Sequence, residues 1–146
     1  MEVVTAGSWP FNEATDSVTL VFDERHRRRV RMTTDAMEDV LLDLPTAVAL
    51  GDGDGLHLED GNWVAVTAAP EPLLEVIPDS QYHLMRLVWH IGNRHLQAEL
   101  LTDRIRIRPD QVIAEMLRGL GAKVTEVMAP FQPEGGAYDE SGHSPV

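Results

Sequence analysis

The residues best placed by type and spacing to do chemistry here are histidines. Two of the six, His90 and His95, flank the run Ile91-Gly92-Asn93-Arg94. A neutral imidazole is a good ligand for a borderline divalent metal, so both are candidate ligands for nickel, copper or zinc. His95 is the stronger candidate. An amphipathic helix is expected to stop at Gly92 or Asn93, since either tolerates the left-handed conformation that follows a helix. His95 then emerges just past that end, held by a rigid element yet not required to pack in a core. His83 lies two helical turns before His90, and both are expected to flank the apolar stripe of the helix.

One imidazole per chain makes a poor metal site. Two copies of His95 meeting across a two-fold axis make a better one, because an isologous interface sets the same patch of each subunit against itself. A metal held there by few ligands exchanges readily, as a carrier requires. An imidazolium must shed its proton to bind, so such a site loses affinity as the pH falls below about 6.5.

Other constellations point to architecture. Asp52-Gly53-Asp54-Gly55 opens like a calcium loop, but Leu56 and His57 fill the fifth and sixth places, so a hairpin turn is expected. Arg25, Arg27, Arg28, Arg29 and Arg31 form a basic cluster. It lacks the interleaved aromatics of a nucleic-acid surface and reads as a charge-protected strand edge or a partner-docking face. No nucleophile elbow, zinc-protease helix, P-loop or dinucleotide fingerprint is present, and nothing in the spacing assigns catalysis. A non-enzyme is expected.

The elements that must position these residues fall into two halves. Ser17 to Phe22, Arg29 to Met32, Leu56 to Leu58 and Trp63 to Thr67 read as short strands, with Asp23 to His26 a charged turn. Val40 to Leu44 and Ala47 to Leu50 are apolar runs either side of Pro45. Ala69-Pro70-Glu71-Pro72 reads as a linker stiffened by its prolines. Beyond it, Leu73 to Ile77 is a strand. A helix runs from about 80 to 91, capped by Asp79 or Ser80, with Leu84, Leu87, Val88 and Ile91 inward. Strands at His95 to Leu100 and Arg104 to Arg108 follow, the second with one basic face. Pro109-Asp110 opens a helix with Val112, Ile113, Met116, Leu117 and Leu120 as its stripe, ended by Gly119 and Gly121. A last strand runs from Lys123 to Met128. The fold class is α+β: a small all-β domain over 1–69, then a ferredoxin-like βαββαβ domain over 70–131. The Gly-, Ser- and Pro-rich tail over 132–146 is expected to be flexible.

Composition bounds the function further. The chain has 146 residues, 43% of them hydrophobic, enough to build a core. Twelve basic against 24 acidic residues leave a net charge of −12, which argues against nucleic acid as a partner. There is no cysteine, so thiolate metal sites and disulfides are excluded. No apolar run reaches the roughly 18 residues that span a bilayer. The first residues lack the pattern of a signal peptide. No membrane association and a cytoplasmic location are expected.

Taken in order, these motifs resemble the UreE family of urease accessory proteins, which are nickel metallochaperones. The resemblance is carried by Arg28-Arg29-Val30-Arg31-Met32, Leu41-Leu42-Asp43-Leu44-Pro45, Gly51-Asp52-Gly53-Asp54-Gly55 and Leu58-Glu59-Asp60-Gly61. In the second half it rests on His90-Ile91-Gly92-Asn93-Arg94-His95, Pro109-Asp110-Gln111-Val112, Gly119-Leu120-Gly121 and Gly135-Gly136-Ala137-Tyr138. It implies an N-terminal domain similar to a peptide-binding β domain and a C-terminal domain that binds metal and forms a homodimer. It implies that His95 holds Ni(2+) as cargo at the dimer interface, with Zn(2+) or Cu(2+) as in vitro substitutes. His143 in the tail is a candidate added ligand, and His90 a lesser one. Some members carry further metal-binding histidines at the places of Pro109 and Gln111, which this chain lacks. The implied role is delivery of nickel to apo-urease, with the urease accessory complex and the nickel-handling GTPase UreG as partners. The competing expectation is a non-catalytic peptide- or partner-binding scaffold with incidental metal affinity.

Overall fold

The computed structural model describes residues 1–135. His143 and most of the 132–146 tail lie outside the described residues. The chain divides into two compact units, Met1–Ala69 and Pro70–Val146.

The N-terminal unit is built from strands β1 (Glu2–Val4), β2 (Ala14–Leu20), β3 (His26–Thr33), β4 (Asp39–Ala49), β5 (Gly55–His57) and β6 (Trp63–Ala68), with a one-turn helix α1 (Phe22–Arg25). Four of them form a sheet in the order β1-β5-β6-β2, in which β6 and β2 run parallel. β3 and β4 form a separate antiparallel ribbon. Met32, Leu42 and Leu44 of the ribbon share one core with Val18, Leu20, Leu56, Val64 and Val66 of the sheet. Alternation along each strand is what brings these side chains to a common face.

Two local expectations are corrected here. Most of the charged stretch after Val21 is the helix α1, in which the amides of Glu24 and Arg25 both donate to the Val21 carbonyl. Arg25 is only 2% exposed; its guanidinium donates to the carbonyls of Leu20 and Leu50, so it is a buried strut and no part of a surface cluster. The two runs around Pro45 form the single strand β4. Pairing shifts from Arg29 opposite Asp43 to Arg27 opposite Val48, so residues 44–47 face Arg28 alone. Pro45 sits in that bulge, where its missing N–H interrupts no ladder.

The C-terminal unit runs β7 (Pro70–Ile77), α2 (Gln81–Asn93), β8 (Glu99–Leu100), β9 (Ile105–Ile107), α3 (Gln111–Gly119) and β10 (Lys123–Pro130). Its sheet order is β10-β7-β9-β8 with every neighbour antiparallel, which is the ferredoxin-like arrangement. The whole chain is thus α+β with an all-β-type first half. Leu84, Leu87 and Ile91 of α2 and Ile113, Ala114 and Leu117 of α3 pack on Leu74, Val76, Ile105, Ile107 and Val124 of the sheet. Val112, expected in the inward stripe of α3, is instead 74% exposed, and Ala114 takes an inward place. The presumed linker is also corrected, because β7 begins at Pro70. Pro70 and Pro72 pair with β10 alone, while β9 joins β7 only from Leu74 to Val76. A proline there leaves no gap toward β9. Among the described residues no helix is long and apolar enough to cross a membrane.

Candidate metal centre

Helix α2 is the element that carries the candidate ligands. Ser80 caps its start: the Ser80 hydroxyl accepts the His83 amide at 3.0 Å. The helix continues through Gly92 and Asn93, with Arg94 as C-cap at φ −94°. The left-handed residue expected at Gly92 or Asn93 is His95 itself, at φ +55°. The His95 amide donates to the Gly92 carbonyl at 3.0 Å and the Leu96 amide to the Ile91 carbonyl at 3.4 Å. This is a Schellman closure with histidine in the place that glycine usually fills. The reason is packing. Leu96 lies against the core that includes Ile91, so the chain turns where that apolar residue can plug in. The same turn explains why the strand expected from His95 shrinks to Glu99–Leu100. His95 is exposed, so the closure fixes an imidazole on the surface at the end of a rigid helix.

The two histidines within α2 separate cleanly. His90 is half-buried in the last turn of α2, its ring edge-on to Trp89 at 5.1 Å and 86°. The Arg94 guanidinium donates to the His90 carbonyl at 3.3 Å. His83 is 5% exposed and fully engaged. Its Nδ1 accepts the Asp79 amide at 3.0 Å, and its Nε2 lies 2.8 Å from the Leu120 carbonyl. A carbonyl can only accept, so Nε2 carries the proton. His83 therefore clamps the start of α2 to the end of α3. Among the described residues no group of three or more His, Cys, Asp or Glu comes together as a metal site. An ion at His95 needs donors beyond them.

Around the end of α2 lies a surface that the sequence reading missed. Tyr82, Met85 and Trp89 are 68%, 58% and 63% exposed. Their spacing of three and four puts them on one outward stripe, which reaches Gly92 one turn later. A Cβ added at Gly92 meets nothing within 4 Å, so the packing of this chain does not demand glycine there. Beside the stripe, Leu84, Met85, Val88, Leu100, Leu101 and Ile105 line a groove of about 450 Å³. The 82/85/89 spacing was a readable signal, masked by the stronger inward stripe.

Elsewhere the charged motifs serve the fold. Asp54 accepts the amides of Ala6 and Gly51, and Asp52 accepts that of Ala68, so this is a hydrogen-bonded turn. Arg27 donates to the Asp23 carbonyl and Arg28 to that of Leu44, while Arg29 and Arg31 are exposed on β3. β9 has the basic face expected of it, with Arg104 and Arg106 both donating to the Glu75 carboxylate. The Arg104 guanidinium holds the Asp103 carboxyl below the usual carboxylate range, and the carboxylates of Asp103 and Glu75 raise Arg104 in turn. The Thr34 hydroxyl, with the amides of Ser17 and Ala36, lowers Asp16 against the opposing effect of partial burial.

The fold and this surface define a two-unit α+β protein whose ferredoxin-like half presents an imidazole at a helix end. Residues 3–69 match the N-terminal domain of the UreE urease accessory protein, and residues 71–145 match its C-terminal domain. The chain belongs to the UreE urease accessory protein family. It is 54% identical over 131 residues to the urease accessory protein UreE of Bradyrhizobium sp. (strain ORS 278), covering 90% of this chain and 62% of that protein. It is 55% identical over 133 residues to UreE of Chelativorans sp. (strain BNC1), covering 91% and 84%. UreE of Rhodopseudomonas palustris (strain HaA2) is 55% identical over 125 residues, 86% of this chain and 58% of that protein. The chain thus spans about three fifths of the length of two of these relatives.

Proposed function

We propose that this chain is a nickel-binding metallochaperone of urease maturation, a non-enzyme that hands nickel to apo-urease in the cytoplasm. It works as a homodimer, with the urease accessory complex and the GTPase UreG as partners. The observation that carries this reading is His95 itself, an exposed imidazole held in the left-handed conformation that glycine usually takes at a helix end. Backbone strain of this kind clusters at functional sites, and here it falls on a residue able to bind metal. The outward stripe of Tyr82, Met85 and Trp89, with its adjoining groove, supports a second copy as the partner of this face. A two-fold axis there pairs one His95 from each subunit around one ion, with His143, His90 or water completing the shell. Imidazole and water are weak enough as a set to let the ion leave for a better site, and nickel, zinc and copper all accept them.

The test is titration of the full chain with nickel by calorimetry, followed by native mass measurement. One ion per dimer is expected, and His95→Ala abolishes that event while the dimer mass and circular dichroism persist. Unchanged nickel affinity in His95→Ala sinks the reading. The exposed Arg29 and Arg31 on β3 favour the rival reading, a partner-binding scaffold, and absence of tight nickel binding by the parent chain decides for it.

A further inference from the structure

We infer that Leu96 is a positioning residue for the metal ligand: its packing against the core cluster that includes Ile91 holds His95 in the left-handed conformation and so sets where the imidazole stands. The inference rests on the reading of His95 as the nickel ligand. A histidine at φ +55° returns to the extended or right-handed region unless something holds it, because its Cβ crowds the backbone there. Two amide bonds close the turn. One of them, from Leu96 to Ile91, is long at 3.4 Å. The apolar packing of Leu96 adds to these bonds in holding the turn. Leu96 is half-buried against a cluster in which Ile91 is 2% exposed.

The end of α3 supplies the control within the same unit. There Gly121 occupies the left-handed position at φ +93° and Ala122 follows it, its amide on the Leu117 carbonyl at 3.0 Å. Where glycine makes the turn easy, the plug is a single methyl. Where histidine resists it, the plug is leucine. A ligand that presents its imidazole from a fixed helix end loses less freedom on binding, and a support that slackens costs affinity without touching the metal.

The experiment uses the full chain with Leu96→Ala, Leu96→Met, the milder Ile91→Val and, as reference, His95→Ala. Nickel affinity is read by calorimetry, and the His95 backbone conformation by its Cα and Cβ chemical shifts. Leu96→Ala is expected to weaken nickel binding about tenfold, as loss of a supporting residue around a metal does. The His95 shifts move toward extended values at the same time. Leu96→Met, which keeps the volume, stays within about twofold of the parent. A loss of global stability alone does not move the His95 shifts of the folded protein. Parent affinity and shifts in Leu96→Ala, alongside loss of binding in His95→Ala, overturn the inference and leave the nickel reading standing. Parent affinity in His95→Ala overturns both. If Leu96→Ala does not fold, Ile91→Val decides: weaker binding with moved His95 shifts supports the role, and unchanged values overturn it.

Discussion

Helices α2 and α3 of the C-terminal unit end in the same backbone geometry with opposite residues. At α3, Gly121 takes the left-handed position and its amide returns to the Arg118 carbonyl at 2.9 Å. At α2, His95 takes that position and its amide returns to the Gly92 carbonyl at 3.0 Å. The glycine of α2 sits three residues early, at Gly92, inside the helix, where it weakens the helix by about 1 kcal/mol relative to alanine. Placing histidine at the turn costs about another 1 kcal/mol relative to glycine. Helix α3 shows that the fold can close such a turn at little cost. The proposed metal role of the imidazole gives the extra cost at α2 a reason that α3 lacks.

That contrast can be broken by substitution. The largest effect is expected from His95→Gly, which makes the end of α2 like that of α3. Nickel affinity in calorimetry falls by about 100-fold or more, while thermal stability without metal rises by about 1 kcal/mol. A fall in both sinks the contrast. His83→Ala comes next. It leaves the Leu120 carbonyl and the Asp79 amide without their partner, and should lower unfolding free energy in urea by about 2–3 kcal/mol. Nickel binding by the folded fraction should not change. Gly121→Ala carries the experiment to the other helix. The added Cβ finds its nearest neighbour, the His83 ring, at 3.8 Å, so space is not the obstacle. Left-handed strain alone should lower stability by about 1 kcal/mol, again with nickel affinity intact.

The smallest effect lies in the N-terminal unit, at the other left-handed non-glycine residue among the described residues, Met37 at φ +67°. Its turn is braced by Asp16, which accepts the Thr34 hydroxyl and the Ala36 amide. The Asp16 pKa is lowered on folding, so its contribution is complete above the ordinary value near 3.8 and is lost as pH falls through the lower folded value. Protection of the Ala36 amide, relative to the unstructured exchange rate at the same pH, should fall below that ordinary value, before the sheet core opens. Protection that stays level down to global acid unfolding contradicts the brace.

Much of the frame was legible because it rests on periodicity and caps. Leu84, Leu87 and Ile91 announce the inward face of α2, and Ser80 and Asp110 accept the amides of His83 and Ile113 at the two helix starts. The βαββαβ order follows from those signals. Helix α1 was not legible, since four residues cannot show a period and its stability comes from the burial of Arg25. The parallel pairing of β2 with β6 is a long-range choice that no local stretch encodes. At the candidate site, His95 stands out in the sequence as a candidate ligand by residue type alone. Its conformation was not legible, because local preference favours Gly92 or Asn93 in the left-handed place, whereas the folded chain puts His95 there, with Leu96 packed on the core cluster that includes Ile91.

The three tryptophans have an optical consequence. Trp9 is 8% exposed and stacks on Trp63 at 5.0 Å, whereas Trp89 stands 63% exposed on the outward stripe of α2. A solvated indole emits at longer wavelength than a sheltered one. The red edge of the emission spectrum therefore belongs to α2 and the blue edge to the N-terminal unit. Whatever covers Trp89, or brings a paramagnetic quencher close to it, dims or shifts one edge and leaves the other as an internal standard.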